Sequence, residues 1–182
     1  MLLTGKMRLK AQLNAVLIHA DGSREDLGDL GLRKSRWQRF IEFITFDQSG
    51  LVTLGGINAT AADFTASGGL AVFKYHDSGT GSTAAAQTDT TLQTQAGPAT
   101  RATGTNTQTQ SASGTGSTTP AIVTSVGTIA YVSSLAITEW GLFNQSAQGG
   151  TMFDHRIFSA INVVSGDSIQ FTYSLSITGG GT

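Results

Sequence analysis

The clearest pattern in the chain is a strict alternation of apolar and polar residues near its C-terminal end. Ser, Thr and Gln separate the apolar positions Ile169, Phe171, Tyr173, Leu175 and Ile177. Because successive side chains of a strand point to opposite faces, this period of two predicts a half-buried β-strand. The apolar run 161–164 precedes it across a Ser-Gly-Asp-Ser turn, so the two stretches are predicted to pair as a hairpin.

A second alternating stretch, residues 7–20, leads into Asp21-Gly22, a dipeptide typical of hairpin turns. Residues 23–27 are the predicted return strand. Further strands, rich in β-branched and aromatic residues, are predicted at 51–54, 70–76, 122–123 with 126–132, 135–143 and 151–158. No segment predicts a secure helix, so we expect an all-β fold, a jelly roll or β-sandwich of about eight to ten antiparallel strands.

Residues 78–119 interrupt the strand pattern. Of these 42 residues 14 are threonine, and Leu92 is the only large aliphatic side chain. Such a segment buries too little apolar area to fold alone, so we expect it to pair edge-on with sheets of its own chain or of neighbouring copies. The predicted organisation is a basic N-terminal arm or hairpin region at 1–46 and a β-sandwich domain at 47–182 that contains this excursion. The expected assembly is an oligomer.

Charge is sparse and unevenly distributed. Charged residues make up 13 % of the chain, about half of the usual share of roughly 25 %. Residues 1–40 carry a net charge of +4 and residues 41–182 a net charge of −5. A basic cluster around an indole predicts a surface for an acidic protein partner, and no DNA-reading motif accompanies it. This predicted partner-binding surface is Arg33, Lys34, Arg36, Trp37 and Arg39.

The histidines do not predict a catalytic or metal site. His76 precedes Asp77 and His155 follows Asp154, and neighbouring residues of a strand point to opposite faces, so neither pair should converge. No spacing matches a zinc motif and the chain has no cysteine. We therefore expect no catalytic residue, no metal and no cofactor. No apolar run approaches the 18 residues of a membrane span, so a membrane partner is not expected.

Glu139 beside Trp140 is the remaining candidate for chemistry. A polysaccharide-cleaving enzyme would need a second carboxyl group across the same glycosidic bond, and the sequence identifies no such partner. Substitution of Glu139 and Asp154 with no measurable activity to lose would remove this alternative. The competing interpretation is structural: Glu139 forms a salt bridge or hydrogen bonds, and Trp140 packs at an interface.

Four segments resemble a module found in virion structural proteins of tailed bacteriophages. They are Lys74–Gly81 (KYHDSGTG), Ile137–Phe143 (ITEWGLF), Met152–Asn162 (MFDHRIFSAIN) and Gly166–Leu175 (GDSIQFTYSL). The resemblance covers roughly residues 70–178. It implies a non-enzymatic virion component, and between head and tail the compact size and basic N-terminal part favour the capsid.

The resemblance therefore implies a capsid cement or decoration protein, a homotrimer on the outer capsid surface whose partners are itself and the major capsid protein. Nucleic acid and membrane are not expected partners. The expected assembly interface is Glu139, Trp140, Phe143, Thr172 and Ser174. The alternative is a tail-fibre or baseplate adhesin that contacts host glycans, for which Trp140 or Tyr131 would be a solvent-facing aromatic.

Overall fold

The chain folds into two antiparallel β-sheets. The computed structural model describes residues 8–30, 51–52, 72–97, 100–109 and 121–178, and no α-helix occurs in these ranges. The strands are β1 (Arg8–Ile18), β2 (Arg24–Asp29), β3 (Leu51–Val52), β4 (Tyr75–Gly79), β5 (Ala102–Thr103), β6 (Thr105–Thr109), β7 (Ala121–Ala130), β8 (Leu135–Phe143), β9 (Met152–Val163) and β10 (Ser168–Thr178). The all-β prediction is confirmed. The jelly-roll variant and the trimer stay predictions.

Within the described residues each sheet has five strands. The first sheet has the order β2-β1-β10-β7-β6, and the second has the order β3-β9-β8-β4-β5. The predicted N-terminal hairpin is confirmed, with Gly22 at a positive φ in its turn. Strand β1 also pairs with β10 along its whole length, from Arg8 opposite Thr178 to Ile18 opposite Ser168. The N-terminal hairpin is therefore an integral part of the first sheet.

The apolar faces of the two sheets pack against each other. The predicted alternation holds from Ala11 to Ile18 on β1 and from Ser168 to Ser176 on β10, because the odd-numbered residues there are buried and the even-numbered ones are half-buried. Across the interior, the Trp140 ring stacks on Tyr173 at 5.6 Å and lies 6.1 Å from Phe171, centroid to centroid. Phe153 meets the edge of Tyr173. Each fully buried large side chain contributes about 1.5–3 kcal/mol, so this core supplies much of the driving force for folding.

The predicted hairpin between 161–164 and the final strand is wrong. Strand β9 belongs to the second sheet and β10 to the first, so the turn between them crosses the sandwich. The Asp167 carboxylate accepts hydrogen bonds from Ala20 N at 3.1 Å and Val164 N at 3.0 Å. Its backbone carbonyl accepts one from Tyr131 N. These bonds join the turn to the β1–β2 and β7–β8 turns and fix the crossing.

The threonine-rich segment is held by this chain's own sheets wherever the structure describes it. Strand β6 pairs with β7 in the first sheet, and β5 pairs with β4 in the second. Between them the chain passes from one sheet to the other at Gly104. Glycine fits here because a Cβ atom would lie only 2.7 Å from Nε2 of His76. Strand β4 begins at Tyr75 and ends at Gly79, later than the strand predicted over 70–76, because its pairing with β8 extends to Gly79.

Candidate functional site

Sheet two and its surroundings contain a concentration of buried charge. Ionisable side chains are rarely buried unless they are paired. Identifying their hydrogen-bond and ion-pair partners therefore shows the role of each buried charge. The almost completely buried ionisable residues are His76, Asp77, Arg101, Glu139, Asp154, His155, Arg156 and Asp167.

Glu139 anchors the loop of residues 80–97 to the outer face of the second sheet. A register shift in β8 lets both Ile137 and Trp140 face the core, while Glu139 faces outward. Its carboxylate accepts three backbone hydrogen bonds, from Gly81 at 2.9 Å, Gln93 at 2.9 Å and Thr94 at 2.8 Å. The loop is thus attached to the sheet by hydrogen bonds from its own backbone N–H groups to the Glu139 carboxylate.

His155 extends this anchor to a second carboxylate. Its Nε2 lies 3.1 Å from Glu139 Oε2 and its Nδ1 lies 2.7 Å from Asp89 Oδ2. Burial lowers the pKa of His155, but the hydrogen bonds to Glu139 and Asp89 outweigh it and leave the pKa raised. Burial raises the pKa of Glu139, but the bond from His155 and the three backbone N–H groups outweigh it and leave the pKa lowered. The charged carboxylate–imidazolium–carboxylate arrangement is therefore favoured.

Glycine permits this close approach of loop and sheet. A Cβ atom at Gly81 would lie 2.6 Å from Glu139 Oε1, and one at Gly79 would collide with the same oxygen. Farther along the face, Leu92 of the loop packs with Phe143 and Met152 in a small apolar cluster separate from the main core. Polar and apolar contacts together hold the loop of residues 80–97 on the sheet.

Arg101 holds the second covering loop, residues 144–150. Its Nη1 donates to three carbonyl oxygens, those of Gln145 at 3.1 Å, Ala147 at 2.8 Å and Gly149 at 2.8 Å. Its Nε donates to Asp77 Oδ2 at 3.3 Å. The guanidinium also lies 3.5 Å above the centre of the Phe143 ring, a cation–π arrangement.

His76 lies on the opposite, inward face of the second sheet. Trp140 Nε1 donates to its Nδ1 at 3.3 Å, so Nε2 carries the proton and donates to Ser125 Oγ at 3.0 Å. Burial lowers the pKa of His76 to about 3. The neutral imidazole therefore acts as a hydrogen-bonded link between the sheets.

Asp154 and Arg156 form a buried ion pair that also faces inward. The guanidinium donates from Nε at 2.7 Å and from Nη2 at 3.1 Å to the two carboxylate oxygens. Tyr173, on the opposite sheet, donates its hydroxyl to Asp154 Oδ2 at 3.2 Å. Because the carboxylate is satisfied by both partners, the pair bridges the sandwich and leaves no free acid or base.

The expectation that adjacent His and Asp residues point to opposite faces is confirmed. His76 reaches the first sheet while Asp77 pairs with Arg101, and Asp154 reaches Tyr173 while His155 binds Glu139. Glu139 and Asp154 are therefore also on opposite faces. These two carboxylates cannot flank one glycosidic bond.

The expected assembly residues fall into two groups. Glu139, Trp140 and Phe143 are 0 % exposed and enclosed by their own chain, so they offer no side-chain surface to a neighbouring copy. Thr172 and Ser174 lie half-buried on the outer face of the first sheet, and their interface role stays a prediction.

Two other sequence expectations concern binding surfaces. The prediction that Trp140 or Tyr131 is a solvent-facing aromatic of a glycan-binding surface is wrong, because both residues are buried. Tyr131 shares a hydrogen bond with Ser78. The predicted partner-binding surface, Arg33, Lys34, Arg36, Trp37 and Arg39, lies outside the described residues.

Sequence reasoning missed Arg101 and Asp89 as functional residues of this network. The sequence did contain a signal for them: Asp89 and Arg101 are the only acidic and the only basic residue in the otherwise uncharged stretch 78–119. In the described ranges, no group of three or more His, Asp or Glu side chains is arranged to hold a metal ion. The same ranges contain no helix that is long and apolar enough to cross a membrane.

Fold and site together define an antiparallel β-sandwich in which one sheet is covered by two loops that buried charges hold in place. No family model, curated protein or solved structure matches this chain.

Proposed function

We propose that this chain is a non-enzymatic structural protein of a tailed-phage virion, a capsid cement or decoration protein. In this role it acts as a homotrimer on the outer capsid surface and binds the assembled lattice of the major capsid protein. The proposal starts from the resemblance of residues 70–178 to phage virion proteins.

The observation that carries the proposal is where the resembling segments lie. Lys74–Gly81, Ile137–Phe143 and Met152–Asn162 supply Asp77, Glu139 and His155, the core of the network that fixes the covering loops. Side chains that could act as acids or bases in a catalytic site are thus engaged in holding the fold. A framework of this kind suits a protein whose task is to persist on a particle.

The energetic mechanism is mass action on the lattice. A protein that binds the assembled shell, and not free capsid subunits, stabilises the shell by RT ln(1 + [L]/Kd) per site, or about 2.7 kcal/mol when its concentration is 100 times the Kd. Summed over many sites, small increments raise the temperature and internal pressure that the shell withstands.

The first test is location and copy number. Particles are dissociated gently into heads and tails, and the chain is quantified by mass spectrometry in each fraction. Hundreds of copies in the head fraction are expected. A handful of copies in the tail fraction would contradict the cement role and support the tail-fibre or baseplate alternative.

The second test removes the protein from intact heads. Stripped heads should lose resistance to heat and to osmotic shock, and purified protein added back should restore it. Stripped heads that survive both challenges as well as untreated heads would contradict the cement role even if the chain is abundant there.

A further inference from the structure

The outer face of the first sheet consists mostly of uncharged polar side chains, with Val16, Ile18, Ile122, Val126 and Ala130 among them. The register places Asn14, Thr172, Val126 and Thr105 in one row across strands β1, β10, β7 and β6. The next row is Gln12, Ser174, Thr124 and Thr107. These rows continue the alternation that puts the buried residues of the same strands into the core.

This face carries almost no charge. On these four strands the outward positions from Gln12 to Ile18, from Ser168 to Ser176, from Ile122 to Ala130 and from Thr105 to Thr109 include no ionisable residue. Charges lie at its rim: Lys10 at one end, and Arg24, Asp26 and Asp29 on the edge strand β2. Depletion of charge at the centre with a polar rim is one compositional feature of protein interfaces.

The size of the face is sufficient for a stable contact between copies. The five strands contain 11, 6, 11, 10 and 5 residues. With about 3.4 Å per residue and about 4.8 Å between strands, the sheet covers about 700 Å² in projection. Covering this face would bury about 700 Å² of each copy, close to the roughly 800 Å² per partner of a standard protein interface.

The chemistry of the face also suits a second copy of itself. Hydroxyl and amide side chains both donate and accept hydrogen bonds, so an identical or neighbouring polar surface can satisfy them. At the centre of the face no like charges would be brought together. By contrast, the outer face of the second sheet is already covered by residues 80–97 and 144–150.

From these observations we propose that the outer face of the first sheet, centred on Thr172 and Ser174, is the surface through which copies of this chain associate. The inference rests on the homo-oligomer in the proposed function and names its interface. A neighbouring copy covers the Thr172 and Ser174 rows and excludes water from them.

Substitution of Ser174 by Arg tests the proposal, with Ser133→Arg as the matched control, because Ser133 is exposed in the β7–β8 turn. Oligomeric state is measured by sedimentation across a concentration series. A guanidinium buried without a partner costs several kcal/mol, so Ser174→Arg should raise the dissociation constant by roughly 30-fold or more. Ser133→Arg should leave it unchanged.

A label provides a second measurement that does not depend on the arginine variant's folding. The chain has no cysteine, so Ser174→Cys and Ser133→Cys each carry a single spin label. The label at position 174 should show dipolar broadening that disappears on dilution with unlabelled protein, and the label at 133 should show less.

Two results would overturn the interface. One is a wild-type chain that stays monomeric at all concentrations. The other is an oligomer that Ser174→Arg leaves intact and in which the label at 174 shows no broadening. Neither result bears on whether the chain is found in the head fraction, so failure of the interface and failure of the virion role are distinguishable.

Discussion

Replacing Glu139 by Gln perturbs the anchor of residues 80–97 while preserving its shape. Oε1 accepts hydrogen bonds from Gly81 N and Thr94 N, and Oε2 accepts from Gln93 N and faces His155 Nε2. The glutamine amide has one oxygen and one NH₂ group. Whichever way it turns, the NH₂ group faces at least one backbone donor, and the negative charge opposite His155 is lost.

The expected loss of stability is about 3–5 kcal/mol. A hydrogen bond to a charged group contributes about 1.5–3 kcal/mol, and removing one partner of a buried charge pair costs about 3–5 kcal/mol. These terms overlap, since the same carboxylate is counted in both, and detachment of the loop limits the total. For a chain of this size the change corresponds to a fall in Tm of about 6–20 °C.

The assay combines guanidinium unfolding with amide hydrogen exchange. In Glu139→Gln the amides of Gly81, Gln93 and Thr94 should exchange faster than in the wild type, and to a greater extent than amides of β1 or β10. Glu25→Gln, at an exposed position of β2, is the matched control and should change stability by less than about 0.5 kcal/mol. A loss below about 1 kcal/mol with unchanged exchange at the three amides would refute the anchoring role.

Further predictions concern the rest of the network. Arg101→Lys keeps the charge but loses the planar fork that binds residues 144–150, and unfolding should show a loss of about 2–3 kcal/mol. Gly79→Ala forces a Cβ atom onto the Glu139 carboxylate, and should lower stability by about 1–3 kcal/mol. Because the pKa of His155 is raised above 6.5, its stabilisation is complete below pH 6.5 and is lost as pH rises through the folded-state pKa, which thermal melts across neutral and alkaline pH measure.

Each of these predictions has a contrary outcome. Arg24→Lys, at an exposed position of β2, should be neutral, and an Arg101→Lys variant that is equally neutral would show that the fork is dispensable. A Gly79→Ala variant as stable as the wild type would show that the Glu139 carboxylate and the Thr94 carbonyl, which the added Cβ atom would also meet, can both move aside. Stability that declines with alkaline pH as steeply in His155→Gln as in the wild type would assign that decline to another group.

The sequence predicted the faces of the strands well, because side-chain direction in a strand is a local property. The alternation at Leu13, Ala15, Phe171 and Tyr173 is enough to assign these residues to the core, and all four are buried. The same local geometry correctly separated Asp154 from its neighbour on the strand.

The partners in the candidate site could not be predicted in this way. Asp89 lies 66 positions from His155, and Arg101 lies 24 positions from Asp77. No period connects such residues, since their contact depends on how a loop folds over a sheet. A threonine-rich segment with few apolar residues gives no pattern from which that path could be derived. The sequence therefore indicated that the segment must pack against a sheet, but not which side chains make the contacts.

What the sequence determined by itself is the all-β class, the inward and outward faces of the alternating strands, and the N-terminal hairpin at Asp21-Gly22, since each follows from local geometry. Only the tertiary structure decided that β9 and β10 belong to different sheets. The Ser-Gly-Asp-Ser turn can serve either a hairpin or a crossing, and the choice depends on long-range hydrogen bonds from Ala20 and Tyr131 to Asp167. Only the tertiary structure likewise showed that Glu139 is a buried anchor, because loop N–H groups more than 40 residues away surround it.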